Sequence, residues 1–147
     1  MDSTVPVHAG AFVGLQVSAG DGFSCAVTAA QTARCWGDNN FGELGDGTTN
    51  DSSTPRLVKG LTGVTAVAAG YFHACALLNT GRVWCWGDNG NGELGNGTTT
   101  ASDVPVPTPL EGATVVAAGA ADSCAITLSP LGVQCCCGSA AFTFASH

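Results

Sequence analysis

The stretch Gly70–Thr99 reads GYFHACALLNTGRVWCWGDNGNGELGNGTT, and it decides the fold. Its first half predicts a β-hairpin, because the apolar segment 73–78 and the β-branched and aromatic segment 82–87 flank the turn sequence Asn79-Thr80-Gly81. A three-residue hairpin loop usually ends on a left-handed residue, and Gly81 takes that position without strain. Both faces of the predicted hairpin are apolar, so we expect neighbouring layers to cover it on both sides.

The cysteines lie opposite each other across this hairpin and two others like it. Directly paired strand residues have Cα atoms about 4.5–5.5 Å apart, which is within reach of a disulfide. Six of the eight cysteines have this symmetry, which predicts the disulfides Cys25–Cys35, Cys75–Cys85 and Cys124–Cys135. Cys136 and Cys137 are left for intermolecular bonding or as free thiols. Because no Cys-x-x-Cys pair occurs, disulfides and an oxidising compartment are favoured over a metal site.

The pattern recurs at a period near fifty residues. Segments 20–25 and 35–49 match segments 70–75 and 85–99, and a third copy begins at Gly119. A fixed period of this length, with strands and Gly-rich turns in each unit, indicates a β-propeller. We therefore predict an all-β fold, an incomplete β-propeller of four-stranded antiparallel blades with about two and a half repeats of roughly 50 residues.

These motifs also resemble a known family. The pattern Val-x-x-Val-Ala-Ala-Gly, Cys-Ala-Leu, Val-x-Cys-Trp-Gly-Asp-Asn and Gly-Glu-Leu-Gly-x-Gly-Thr-Thr, carried by residues 64–99, is similar to the regulator-of-chromosome-condensation repeat. The resemblance runs from about Val5 to Cys135. It implies a propeller that acts as a scaffold and contacts its partners through loops on one face. It also implies a structural role for His73, as a turn histidine between two strands.

The repeat positions divide the chain into four parts. Residues 1–14 resemble the end of a preceding repeat, 15–63 form repeat 1, 64–113 form repeat 2, and 114–147 form a partial, atypical repeat 3. The last part lacks the Trp-Gly-Asp-Asn turn, as a terminal cap or a truncated repeat would. We expect the chain to be part of a longer polypeptide or to assemble with other copies of itself.

Two hairpin loops depart from the pattern of the second repeat. In the first, Ala29-Ala30-Gln31 replaces the glycine-containing turn, so either Gln31 takes a left-handed backbone or the loop changes type, and we expect a looser turn. In the third, one extra residue predicts a four-residue loop over Ser129–Gly132.

Charge excludes several classes of partner. The formal net charge is −7, and the four basic residues are dispersed along the sequence, at Arg34, Arg56, Lys59 and Arg82. The sequence thus predicts no nucleic-acid partner. It also predicts no membrane partner, because it has no basic amphipathic segment and no apolar run long enough to span a bilayer. The cysteines favour an extracellular or periplasmic location, although residues 1–14 lack the features of a signal peptide. Either export information lies upstream of this sequence, or the thiols stay reduced.

No catalytic constellation, cofactor motif or metal-ligand spacing is found. The acidic turns 37–49 and 87–99 could be read as calcium loops, but their acid spacing does not fit known calcium motifs. Three consecutive strand cysteines at 135–137 point to alternate faces and would bind a zinc ion only with distortion. We therefore predict a protein without enzymatic activity and without a cofactor, the enzymatic alternative being a lyase that uses a propeller face.

The predicted function is a protein-binding scaffold. The candidate contact residues are exposed aromatic side chains in the loops, and aromatic residues often anchor protein interfaces. They are Phe23, Phe41, Tyr71 and Phe72. The alternative for these side chains is packing between blades. A second functional hypothesis is a structural subunit that completes a ring or filament through its open blade edges.

Overall fold

The computed structural model describes residues 14–128, 131–136 and 143–144, and every regular element in these ranges is a β-strand. None of the described residues lies in a helix that could cross a membrane. The strands are β1 (Gly14–Ala19), β2 (Phe23–Thr28), β3 (Ala33–Gly37), β4 (Ser52–Leu57), β5 (Val64–Ala69), β6 (His73–Leu78), β7 (Val83–Gly87), β8 (Ser102–Pro107), β9 (Ala113–Ala118), β10 (Ser123–Leu128), β11 (Leu131–Cys136) and β12 (Thr143–Phe144).

The strands form three separate four-stranded antiparallel sheets. Their orders are β1-β2-β3-β4, β5-β6-β7-β8 and β9-β10-β11-β12, and we call them blades 1, 2 and 3. Blade 3 is irregular, because its outer strand β12 has only two residues and pairs with Gln134 and Cys135. The all-β, open propeller predicted from the sequence is confirmed.

The inner strands β1, β5 and β9 approach one another closely, which requires small residues at their ends. A Cβ atom added to Gly70 would lie 2.4 Å from the carbonyl oxygen of Gly119 and 2.1 Å from the ring of His73. In the same region the amide of Asp21 donates to the carbonyl oxygen of Tyr71 across blades 1 and 2, at 3.1 Å. Glycine at position 70 therefore lets the inner strands of neighbouring blades meet.

Blade 2 buries both of its faces, as the two-sided apolar pattern predicts. One core lies between blades 1 and 2, where Ala74, Ala76 and Trp86 pack against Cys25, Val27 and the loop residue Leu44. A second core lies on the other side of blade 2 and contains Cys75, Leu77, Val83, Cys85, Leu94, Leu110, Ala113 and Ala125. The alternation of side chains along β6 and β7 thus supplies one half of each core.

Three disulfides join the central strands of the blades, at Cys25–Cys35, Cys75–Cys85 and Cys124–Cys135. In each blade the two cysteines are directly paired residues, with Cα atoms 4.0–4.1 Å apart. Such short separations are typical of antiparallel pairs that exchange no backbone hydrogen bonds.

The hairpin loops differ in part from the sequence predictions. Gln31 adopts a left-handed backbone with φ 59°, and the first turn keeps the two hydrogen bonds of the second, so it is not looser. In the third hairpin, Leu128 pairs with Leu131 and Thr127 with Gly132. The loop is therefore two residues rather than four, because the strands continue pairing beyond the predicted boundary. Residues 129–130 themselves lie outside the described ranges.

A tryptophan side chain fastens blade 2 to the loop of blade 1. The indole of Trp86 is fully buried, and its Nε1 donates to the backbone oxygen of Glu43 at 2.8 Å. This loop belongs to the β3–β4 connection, whose Leu44 enters the same core. Because a buried carbonyl without a partner is costly, this hydrogen bond stabilises the inter-blade contact.

Replacing Trp86 tests this contact. We expect Trp86→Phe to lower the free energy of unfolding by about 1–3 kcal/mol, because the carbonyl of Glu43 loses its donor. Trp84→Phe is the matched control, since Trp84 is half-buried in the same blade and makes no hydrogen bond to another described residue. Urea unfolding measures both. Equal losses in the two variants would contradict the assigned hydrogen bond.

Candidate protein-binding face

One end of the three blades carries the long connections, and we call this end the loop face. It comprises residues 20–22, 38–51, 70–72, 88–101 and 119–122. The opposite end carries the short hairpin turns and the connections between blades. Gly87 starts one long connection with φ 102°, and a Cβ atom there would lie 2.5 Å from the backbone oxygen of Phe72. Glycine is thus required where the chain leaves β7 to enter the loop.

A buried asparagine organises each long loop. The side-chain oxygen of Asn39 accepts from the amide of Leu44 at 2.9 Å, while its Nδ2 donates to the backbone oxygens of Thr48 and Asn50 at 3.0 and 2.9 Å. Asn89 repeats the arrangement with Leu94, Thr98 and Thr100 in blade 2. Because each side chain replaces several backbone partners, both loops are fixed without any regular secondary structure.

A buried glutamate closes the tip of each loop. Glu43 Oε2 accepts from the amide of Phe41, and Glu93 Oε2 accepts from the amide of Asn91, both at 2.8 Å. Burial raises the pKa of the Glu43 carboxyl above its ordinary value. These carboxylates hold the residues two positions before them at the outer surface, so Phe41 and Asn91 occupy equivalent exposed positions.

Three of the four candidate aromatic residues come together on the loop face. The ring centroids of Phe41 and Phe72 are 5.2 Å apart, and those of Phe72 and Tyr71 are 6.3 Å apart. Phe41 is 44% exposed and Tyr71 is 57% exposed, with Phe72 half-buried between them. We call these three residues the aromatic row. The row joins a loop of blade 1 to a turn of blade 2, which the sequence could not indicate.

Phe23 does not belong to this surface. It is buried in the core between blades 1 and 2, together with Ala74 and Trp86. The physical reason is its position as the first residue of β2, paired with Gly37, where the strand already faces the next blade. Phe23 therefore takes the alternative role stated for these aromatics, packing between blades.

His73 occupies the place of Phe23 in the next blade and makes a polar contact there. Its Nε2 lies 2.9 Å from Ser123 Oγ and 3.2 Å from the backbone oxygen of Asp122. The carbonyl can only accept, so Nε2 carries the proton and donates. Nδ1 is then unprotonated, buried, and without a hydrogen-bond partner among the described residues. His73 thus lies at the start of β6 and bridges blades 2 and 3.

The two blade interfaces use different hydrogen-bond donors for equivalent backbone acceptors. Between blades 1 and 2, Trp86 donates to the backbone oxygen of Glu43. Between blades 2 and 3, Ser123 Oγ donates to the backbone oxygen of Glu93 at 2.9 Å. Cys136 takes the tryptophan position in blade 3, and it pairs with Ser123 as Trp86 pairs with Ala74. The hydroxyl of Ser123 therefore replaces the missing indole donor.

The basic residues are less dispersed than their sequence positions suggest. Arg34, Arg56 and Lys59 all line one cleft of about 350 Å³ at the outer edge of blade 1. However, the pairing of Arg34 with Leu57, and of Cys35 with Arg56, places the two arginines on opposite faces of the sheet. Arg56 is also paired with Asp46, at 3.3 Å. The three basic residues are therefore closer in space than the sequence indicated, but they do not form one basic surface.

Within residues 14–128, 131–136 and 143–144, no group of three or more His, Cys, Asp or Glu side chains is arranged to hold a metal ion. The predictions for Cys137, and the side-chain prediction for Cys136, lie outside what the structure describes.

Comparison with known proteins identifies the repeat. Two sequence profiles of the Regulator of chromosome condensation (RCC1) repeat match the chain, one over residues 15–43 and 64–93, the other over 35–77 and 80–126. The second covers more than half of the chain and includes both Gly-Glu-Leu-Gly segments. The chain belongs to the RCC1 repeat family. The three sheets are therefore blades of an RCC1-type propeller, and the resemblance inferred from the sequence is confirmed.

Solved structures support the same fold for this RCC1-repeat chain. Human WBSCR16 is similar with a TM-score of 0.79 and 22% identity, over 89% of this chain and 37% of that one. Prp20p from Saccharomyces cerevisiae, described with its binding to Gsp1p and histones, is similar with a TM-score of 0.72 and 21% identity, over 84% and 33%. The ectodomain of the receptor kinase CR4 from Physcomitrella patens gives a TM-score of 0.53 and 31% identity, over 83% and 28%.

A curated relative matches a shorter segment. The human E3 ubiquitin-protein ligase HERC2 is 37% identical over 53 residues, which is 36% of this chain and 1% of HERC2. The chain thus spans a small part of this relative and about a third of the similar structures.

The buried His73 predicts a pH-dependent stability. Burial lowers the pKa of His73 below its ordinary value of 6.5. The negative charges of Glu93, Asp122 and Asp88 act in the other direction but do not outweigh burial. Below pH 6.5 the unfolded chain binds a proton that the folded chain excludes, so stability falls as the pH falls from there to the lower folded pKa.

We expect the free energy of unfolding to decrease from pH 7 to pH 5, by at most about 1.4 kcal/mol per pH unit from this group. His73→Phe, which copies Phe23, should flatten this slope even if it lowers stability at pH 7. Urea unfolding across the pH range measures both slopes. Parallel slopes for the two proteins would show that His73 is not the titrating group.

Proposed function

We propose that this RCC1-repeat chain is a non-catalytic protein-binding module whose loop face contacts a partner protein. The observation that carries the proposal is the aromatic row, where Phe41 is exposed on a loop fixed by buried side chains and Tyr71 on a turn held by backbone hydrogen bonds. Large aromatic groups on a rigid frame lose little conformational entropy on binding and are frequent anchors of interfaces. The partners of Prp20p, Gsp1p and histones, support a protein rather than a small molecule as the binding partner.

We further propose that the module works outside the cytoplasm, in an extracellular or periplasmic setting, within a larger assembly or polypeptide. Three disulfides support an oxidising compartment, and the similarity to a receptor-kinase ectodomain agrees with it. The net charge of −7 argues against nucleic acid and anionic membranes as partners.

The binding function is tested in vitro. Partner proteins captured on the immobilised chain are purified, and calorimetry then measures the affinity of each one for wild type and for the variants. We expect Phe41→Ala with Tyr71→Ala to weaken the complex by about a hundredfold, because each removed anchor contributes about 1–2 kcal/mol. Leu57→Ala is the control, since Leu57 is exposed at the outer edge of blade 1, away from the row. Partners that bind the double variant and wild type equally would contradict the proposal.

A second candidate function is head-to-tail self-assembly, and the two open faces favour it. Ile126 on the outer face of blade 3 is 39% exposed, whereas Leu77, at the equivalent place in blade 2, is 6% exposed. On blade 1, Val17 is 65% exposed, whereas the equivalent Val67 is 2% exposed. The end faces thus have the apolar character of faces that neighbouring blades cover within the chain.

A second copy would cover blade 3 with its own blade 1. Because the two faces differ, this contact is head-to-tail and generates a ring or a filament. We expect light scattering after size exclusion to show oligomers of wild type that grow with micromolar concentration. Ile126→Asp should give a monomer, whereas Leu57→Asp, at the exposed edge of β4, should not. A monodisperse wild-type monomer throughout would contradict self-assembly.

A further inference from the structure

The basic residues and most of the exposed carboxylates lie towards opposite ends of the blades. All four basic residues lie towards the end opposite the loop face, at the start of β3, the end of β4, the β4–β5 connection and the β6–β7 turn. They are Arg34, Arg56, Lys59 and Arg82. The exposed or half-exposed carboxylates lie instead on the loop face, namely Asp21, Asp38, Asp51, Asp88 and Asp122, and at the adjoining start of β8, namely Asp103. A ligand approaching the aromatic row therefore meets a negative potential.

Two clefts flank the aromatic row, and each contains one of these aspartates. The first has a volume of about 420 Å³ and is lined by Asp21, Tyr71 and small residues at the ends of the three inner strands. The second has a volume of about 360 Å³ and is lined by Asp103 and Phe41 together with neighbouring loop residues. The two ion pairs found among the described residues involve neither Asp21 nor Asp103.

We infer that the aromatic row is the docking site of an extended, positively charged segment of a partner protein, with one basic residue in each flanking cleft. The inference rests on the proposed binding function and adds the chemical class of the partner. A Lys or Arg side chain in either cleft contacts both a carboxylate and an aromatic ring, Asp21 with Tyr71 or Asp103 with Phe41.

The size of the row sets the spacing of the two basic residues. Its centroids are separated by 5.2 and 6.3 Å. An extended chain advances about 3.3 Å per residue, so it crosses the row in about four residues. Basic residues at positions i and i+4, with apolar residues between them, match this distance. An acidic segment would place its charges against Asp21 and Asp103 and be repelled.

Fluorescence anisotropy with three labelled peptides tests the inference. The probe is Gly-Lys-Ala-Leu-Ala-Lys-Gly, and its counterparts carry Glu or Gln in place of Lys. We expect only the Lys peptide to bind wild type measurably, with an affinity that decreases as salt increases. Phe41→Ala and Tyr71→Ala should each weaken binding about tenfold. Asp21→Asn with Asp103→Asn should weaken it about tenfold and reduce the salt dependence.

The control variant is Glu111→Gln, which removes one exposed carboxylate at the opposite end of the blades and should change binding less than twofold. Binding of the Lys peptide equally to all variants would be attraction by net charge alone and would overturn the inference. So would no binding of the Lys peptide, or stronger binding of the Glu or Gln peptide. The proposed function fails separately, if partners captured in vitro bind the Phe41 and Tyr71 double variant as wild type.

Discussion

Burial of both faces of the central hairpin is the constraint on which this structure depends. In blade 2 the alternation of β6 and β7 directs Cys75, Leu77 and Val83 to one neighbour, and Ala76 and Trp86 to the other. A single sheet cannot cover itself on two sides, so each blade requires a neighbour before and after it. The loops and the inner strands are placed so that neighbouring blades can pack together, and this packing is needed at every repeat.

This constraint explains which features the sequence could reveal. Pairing of Cys75 with Cys85 follows from symmetry about one turn, and the fold follows from a period that places two apolar hairpins fifty residues apart. Both are local or periodic signals. The aromatic row is neither, because Phe41 and Phe72 come from loops of different blades and meet only after the blades pack. Phe23 and Phe41 are both phenylalanines and cannot be told apart by residue type. Phe23 is buried because it is the first residue of β2, paired with Gly37.

The long loops show why sequence reasoning was incomplete at the candidate site. The sequence around Asn39 and Asn89 fits ordinary local turns, since Asx turns are frequent in such segments. In the structure each is fully buried, and its amide satisfies backbone groups up to eleven residues away. A loop held from its centre can present an aromatic tip such as Phe41 without regular secondary structure. The signal available in the sequence was the recurrence of the same asparagine in both complete repeats.

Comparison of the two interfaces shows how the repeat can change while its geometry is kept. Between blades 1 and 2, Phe23 is buried in the same core as Ala74, while Trp86 supplies the donor to the preceding loop. Between blades 2 and 3, His73 faces Ser123, which itself supplies that donor. The backbone carbonyl of the buried glutamate thus has a hydrogen-bond donor in both interfaces. A buried carbonyl without a donor would lower the stability of the fold. The replacement of Phe23 by His73 at the equivalent position also brings a titratable ring into the second interface, so we expect the two interfaces to respond differently to acid.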